Sequence, residues 1–374
     1  MNALYRKRLK ANKKSFSIGI SIVIIMVRQS KGCVYTMKKT DSPTMKDVAR
    51  EAGVALGTVS KVINNIPVGE SYRQRVEDAI EKLGYHVNSY ARGLKTNKTN
   101  CVALLMPSLR HPFFAILTDE LTACLMMHGY RSLLMITNYD PEAEKKCLIL
   151  GQHNKVDGVI ALTYSPNLDV DGTIPLVTID RHFGSSIPCV SSDNFRGGEM
   201  AAEKLVELGC GKLLFMRIGP RIRGEADKRS AGFEAACRRL HTDYEQIILN
   251  DEDTEAPFYA FLSEHIHGGK LDFDGIFCNT DSLACRVIAF LAEHGVRVPQ
   301  DVQIIGYDGL ADYATGRYPC STIVQPIPRM AEEAVKLLLD ADNIPNPVNI
   351  YLPVRYAWGG TTLEESTVQS IQKS

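Results

Sequence analysis

No CxxC pair and no Cys/His cluster occurs in the sequence, so its ten cysteines provide neither a zinc spacing nor a disulfide framework. They read as buried free thiols of a reducing compartment. Net charge is lacking too: 43 basic residues balance 43 acidic ones, so no global field draws polyanions and any nucleic-acid site is a local patch. The N-terminal apolar run FSIGISIVIIMV has 12 residues, short of the roughly 20 that span a bilayer. There is no GxxxxGK(S/T) phosphate loop, no GxSxG elbow and no HExxH helix. Tryptophan is nearly absent, with Trp358 alone. No repeat of 20 to 50 residues and no low-complexity tract is present.

What is there changes character along the chain. Residues 1–43 are basic and then apolar, like a signal peptide without a clear small-x-small cleavage site. They are expected to be a disordered extension or the product of an upstream start codon, with Met37 or Met45 the true start. Residues 44–84 read as three short helices. Thr44 and Asp47 form a shortened capping box, and Gly53 and Gly84 stop helices. The third helix is expected to bury Tyr72, Val76, Ile80 and Leu83. Residues 85–100, YHVNSYARGLKTNKTN, are polar and basic without a core stripe, the pattern of a linker that folds on docking.

From Cys101 apolar runs such as CVALLMP, VDGVIAL, KLLFMRIG and VQIIGYD alternate with amphipathic helices. That alternation means parallel sheets covered on both faces, and roughly 260 residues hold two such sheets better than one. Carboxylates close strands at Asp180, Asp281 and Asp308, the end at which open α/β folds bind ligands. Paired aspartates serve as acid and base, or accept hydrogen bonds from ligand hydroxyls. With no nucleophile, metal cluster or phosphate loop, binding is favoured over catalysis, and neither metal nor cofactor is expected. An enzyme using Asp281 and Asp308 and an extracytoplasmic sugar-binding receptor stand as alternatives.

Helix, tight turn, helix in DVAREAGVALGTVSKVINN is the pattern of a helix-turn-helix. Ala49, Ala52 and Gly53 permit a close crossing. The second helix opens with small and short polar residues, and Thr58, Ser60, Asn64 and Lys61 suit phosphate contact.

TMKDVAREAGVALGTVSKVIN resembles the head of LacI/GalR-type transcriptional regulators. The likeness continues in order through NSYARGL, VALLMPSLRHPFF, VTIDR, RSAGF, DSLA, GYD and STIVQP, over residues 44–362. The resemblance implies a cytoplasmic, ligand-responsive repressor that binds a pseudo-palindromic operator as a homodimer, with a protein corepressor also compatible. Leu56, Gly57 and Lys61 would face base edges, and Thr58, Ser60 and Asn64 phosphates. In the linker, Asn88, Ala91 and Arg92 match the hinge helix, and Leu94 would wedge into the minor groove. The implied body, 101–362, is periplasmic-binding-protein-like: two doubly wound parallel-sheet subdomains, 101–194 with 326–344 and 195–325 with 346–362, followed by a tail at 363–374. The matching effector positions are Ser108, Phe113, Phe114, Arg181, Arg229, Thr280, Asp281 and Asp308, for a sugar or sugar derivative. Departures from the family pattern include Ala55, Gly69 and Tyr72 in the head, Val87 in the linker and Thr280 in the cleft.

Overall fold

The computed structural model describes residues 23–26, 43–85, 98–153, 156–163, 174–183, 187–219, 224–250, 254–341 and 348–364. Two compact units emerge, Arg28–Thr99 and the remainder.

The small unit holds α1 (Met45–Ala52), α2 (Leu56–Ile63) and α3 (Glu70–Leu83). The Thr44 amide donates to Asp47 Oδ2 at 2.9 Å and the Asp47 amide to Thr44 Oγ1 at 3.4 Å, which satisfies donors that the helix start leaves open. Gly53 takes φ 59°, the left-handed value that ends α1 and permits the tight turn. Arg75 from α3 donates to the carbonyls of Ala52 (2.6 Å) and Gly53 (2.9 Å), pinning that turn. Val48, Ala49, Ala52, Val59, Val62, Val76, Ala79 and Tyr85 form the core. The small residues at 49 and 52 therefore let helices close on each other. Tyr72 departs from expectation: it is 52% exposed because α3 turns Val76 and Ala79 inward instead.

The large unit contains, in chain order, β1 (Val23–Met26), β2 (Cys101–Met106), α4 (Pro112–Met127), β3 (Arg131–Ile136), α5 (Pro141–His153), β4 (Gly158–Leu162), β5 (Leu176–Ile179) and β6 (Cys189–Ser192). Then come α6 (Asn194–Glu207), β7 (Lys212–Gly219), a 3-10 turn at Glu225–Asp227, α7 (Lys228–Leu240), β8 (Asp243–Asn250) and α8 (Ala256–Glu264). A two-residue hairpin pair, β9 (Ile266–His267) and β10 (Lys270–Leu271), precedes β11 (Gly275–Cys278), α9 (Asp281–Glu293), β12 (Gln303–Asp308) and β13 (Ser321–Val324). The unit ends with α10 (Ile327–Leu339), β14 (Asn349–Leu352) and β15 (Arg355–Ala357).

One sheet runs β1-β3-β2-β4-β5-β6-β14, all parallel; the other runs β15-β13-β12-β11-β7-β8, with β15 alone antiparallel. Alternation along each strand separates the two faces. In β2, Val102, Leu104 and Met106 join the core under α4 and α10, while Cys101, Ala103 and Leu105 join the core under α5. In β7, Leu214 and Met216 face one core, and Leu213 and Phe215 the other. Continuous apolar strands are the consequence of burial on both sides.

Two placements correct the sequence reading. Asn349–Leu352 pairs with β6 in the first sheet (Cys189 opposite Asn349), so the chain crosses back to the second sheet between Leu352 and Arg355 instead of before residue 346. Val23–Met26, within the segment expected to lie outside the fold, adds a parallel strand beside β3. The described cysteines other than Cys285 are buried, and burial pushes the thiols of Cys189, Cys210 and Cys237 up to about 12. Among the described residues, no helix is long and apolar enough to cross a membrane.

Candidate functional site

In the helical unit, α2 presents its N-terminal end outward. Leu56 is 44% exposed, Gly57, Lys61 and Asn64 are exposed, and Thr58 and Ser60 are half-buried. A Cβ built on Gly57 meets no atom within 4 Å, so the fold itself does not require glycine there. Asn64 Nδ2 donates to the Ser60 carbonyl at 2.7 Å. Ala55 caps α2 without a side-chain hydrogen bond. Asn88, Ala91, Arg92 and Leu94 lie outside the described residues.

In the large unit, a cleft of about 860 Å³, mouth included, opens at the carboxyl ends of strands from both sheets. Phe113, Phe114, Leu162 and Ile179 supply an apolar side; the two phenylalanines meet edge to face at 5.7 Å. Both rings also pack in the core under α4, so they hold the wall as well as line it.

Polar groups converge opposite them. Arg229, 4% exposed, donates from Nε to Asn194 Oδ1 (2.7 Å) and from Nη1 to the Asn279 carbonyl (2.6 Å). Its guanidinium lies 3.6 Å from the Tyr307 ring centroid, and Nη1 is 3.8 Å from Asp308 Oδ1. Close crossing of α6 and α7 makes this possible: a Cβ on Gly198 would lie 2.0 Å from the Arg229 carbonyl oxygen. Asp308 Oδ1 accepts from Gln325 Nε2 at 2.8 Å. Asp308 Oδ2 is buried and accepts no hydrogen bond from the described residues; His111 Nε2 stands 3.9 Å away. Burial pushes the Asp308 carboxyl up to about 7, against the opposing pull of Arg229 and of the Gln325 hydrogen bond. Burial likewise raises Asp180, opposed by its hydrogen bond from Ser191 Oγ (2.7 Å) and by Arg229.

The backbone at Asp308 is held in an unusual state. Its φ is 118°, a region costing a non-glycine residue about 1–3 kcal/mol. Asp281 holds it there. Asp281 Oδ2 accepts from the amides of Gly309 and Leu310, both at 2.9 Å, and Oδ1 accepts from Thr322 Oγ1 at 2.6 Å.

Of the eight expected effector positions, Phe113, Phe114, Arg181, Arg229, Thr280 and Asp308 line the cleft; Ser108 and Asp281 do not. Ser108 Oγ accepts from the Arg110 amide at 3.0 Å and shapes the turn before α4. Asp281 is committed to the loop after β12. Thr280 both lines the cleft and caps α9, accepting from the Leu283 amide at 3.2 Å. Sequence reasoning missed His111, Tyr139, Arg217, Asp227 and Asn279. Arg217 carried a signal: it is the one charge within the otherwise apolar run LLFMRIG. It is buried and pairs with Asp227 at 2.7 Å. Among the described residues, no group of three or more His, Cys, Asp or Glu is placed to hold a metal ion.

The comparisons with known proteins decide the lineage. Residues 44–88 match the model for bacterial regulatory proteins of the lacI family, and residues 202–362 that for a periplasmic binding protein-like domain. The ribose operon repressor of Bacillus subtilis is 32% identical, over 86% of this chain and 99% of that protein. The chain belongs to the LacI family. The sucrose operon repressor of Streptococcus mutans is 31% identical, over 83% of this chain and 96% of its own. A periplasmic binding protein/LacI transcriptional regulator from Alkaliphilus metalliredigens, solved with D-xylulofuranose, superposes with TM-score 0.60 at 30% identity, covering 71% of this chain and all of that one. These LacI-family relatives are transcriptional repressors, not enzymes. The protein is accordingly a ligand-responsive transcriptional regulator, with a helix-turn-helix head and a doubly wound α/β effector body.

Proposed function

We propose that the protein is a cytoplasmic repressor that binds a pseudo-palindromic operator as a homodimer and is switched by a sugar or sugar derivative. One observation carries the effector class. Asp308 keeps a buried carboxylate oxygen without a hydrogen-bond donor among the described residues, at the rim of a cleft with aromatic walls. An unpartnered buried acceptor is costly unless something supplies the donor, and a ligand hydroxyl supplies it directly. Phe113 and Phe114 offer apolar faces to a sugar ring, and Arg229, already oriented by Asn194 and Tyr307, offers charge-assisted donors. The names of relatives support the same class, because those repressors serve ribose and sucrose operons.

On the DNA side, Leu56, Gly57 and Lys61 read base edges while Thr58, Ser60 and Asn64 hold phosphates. The linker 85–100 folds on operator DNA, with Leu94 as its wedge. The exposed Leu56 beside the open Gly57 fits contact with a thymine methyl. The effector switches the protein only by binding two states of the body with different affinity.

Calorimetric titration with neutral pentoses, hexoses and disaccharides, alongside nucleobases, tests the effector class. Binding of a neutral sugar that Asp308→Asn abolishes is the expected result. Binding of nucleobases alone, or sugar binding unchanged by Asp308→Asn, overturns it.

A further inference from the structure

We infer that Arg217 and Asp227 are a specificity-determining pair of the effector cleft, a second recognition point that takes a neutral hydroxyl or vicinal diol of the sugar while Asp308 takes another. This deepens the effector-cleft reading above and rests on it.

A charge at position 217 is out of keeping with its strand. Leu213 and Phe215, the preceding residues on that face of β7, are buried in the apolar core beneath α6 and α7. Arg217 continues the face, is 7% exposed, and lines the cleft together with Asp227. Its Nη2 meets Asp227 Oδ1 at 2.7 Å. Well-packed apolar residues of similar volume often stabilise a fold as much as a buried ion pair, or more. The wall would therefore stand without these charges. What the pair adds is a hydrogen-bonding face.

That face is held in place from three sides. Asp227 Oδ2 accepts from the Gly224 amide at 2.6 Å, so the turn fixes the carboxylate. Gly219 gives the guanidinium its space: a Cβ there would lie 3.1 Å from Nη2 and 3.2 Å from Cζ. Asn279, which follows β11, donates from Nδ2 to the Ile218 carbonyl at 3.0 Å, and its Oδ1 accepts from the Ile218 amide at 3.3 Å, fixing the end of β7. Polar groups fixed in this way by their neighbours are what selective recognition requires.

The chemistry of the pair selects a hydroxyl. A guanidinium only donates and a carboxylate only accepts. A hydroxyl does both, and two adjacent hydroxyls match the pair one to one. A phosphate or carboxylate on the ligand gains against Arg217 what it loses against Asp227, so anionic sugars are disfavoured here. Only β11 separates β7 from β12, a distance of two strand spacings or about 10 Å. The pair and Asp308 therefore address different hydroxyls of one sugar.

The test is calorimetric titration of the full-length protein with D-ribose, D-xylulose, D-glucose, D-fructose and sucrose, then with the monodeoxy analogues of whichever binds tightest. The double substitution Arg217→Met with Asp227→Asn removes both charges and keeps an acceptor for the Gly224 amide. In the wild type, deleting the hydroxyl held by the pair should weaken binding about 10- to 100-fold. In the double variant, deleting that same hydroxyl should cost no more than about twofold, while deletions elsewhere on the sugar keep their wild-type penalties. The variant should unfold at the same urea concentration as the wild type or higher. Wild-type deoxy penalties that all survive in the variant, a variant that binds no sugar, or one that unfolds at markedly lower urea overturns the assignment and leaves the cleft reading intact. A wild type that binds none of these sugars overturns the cleft reading, and this assignment with it.

Discussion

Replacing Asp308 by Asn should strengthen the fold while destroying effector binding. The wild-type carboxyl is 2% exposed, and burial lifts it from 3.8 to about 7. A carboxyl whose folded-state pKa is raised contributes its full share of stability below about pH 4. That share is lost as pH rises through about 7, because the folded state must then hold a buried charge. A shift of this size corresponds to roughly 4–5 kcal/mol in all, at about 1.4 kcal/mol per unit, of which roughly 3 kcal/mol is lost between pH 5 and pH 8. Asn keeps an oxygen for Gln325 and tolerates positive φ better than most residues, so the 118° backbone survives. The assay is urea unfolding of both proteins at about pH 5 and pH 8, with effector binding measured in parallel. The variant should unfold at higher urea at pH 8 and lose much of the wild-type decline between the two values. A variant that is less stable at pH 8, or that keeps the full decline, refutes the argument from burial. A stabilised variant that still binds effector refutes the role given to Oδ2.

Three further outcomes concern DNA. Gly57→Ala should stabilise the head by up to about 1 kcal/mol, since nothing in the fold occupies the added methyl's space, yet lower operator affinity; melting of residues 44–85 and a binding isotherm separate the two effects. Lys61→Ala should weaken binding to all sequences and flatten the salt slope by about one charge, read from affinity at several salt concentrations; an unchanged slope removes Lys61 from the interface. Leu94→Ala should reduce specific binding strongly and non-specific binding little; equal losses on both DNAs would show that Leu94 is no wedge.

Much of this was legible in residues alone, and the exceptions share a cause. Local signals carried well: the Thr44–Asp47 cap, the stops at Gly53 and Gly84 and the doubly covered strands depend on neighbours a few residues away. Asp308 was legible as a carboxylate at the end of an apolar run. Asp281 looked equivalent, but its partners are amides 28 and 29 residues further on, and no single-sequence pattern shows where a helix-start carboxylate turns. The return of Asn349–Leu352 to the first sheet is likewise a nonlocal pairing, with a strand about 160 residues earlier. Arg217 was legible as an anomaly, though its partner Asp227 was not. Tyr72 misled because an aromatic at a helical position suggests burial, whereas small Ala79 and Val76 fill that face.

The central claim is that the head reads a specific operator under control of a metabolite bound in the body. Selection of bound sequences from random duplex DNA, with the full-length protein and with or without a cell metabolite extract, tests it most directly. The account predicts an enriched inverted repeat with a deformable central step, whose recovery changes when metabolites are added. No enriched sequence in either condition, from protein shown to be folded, would contradict it.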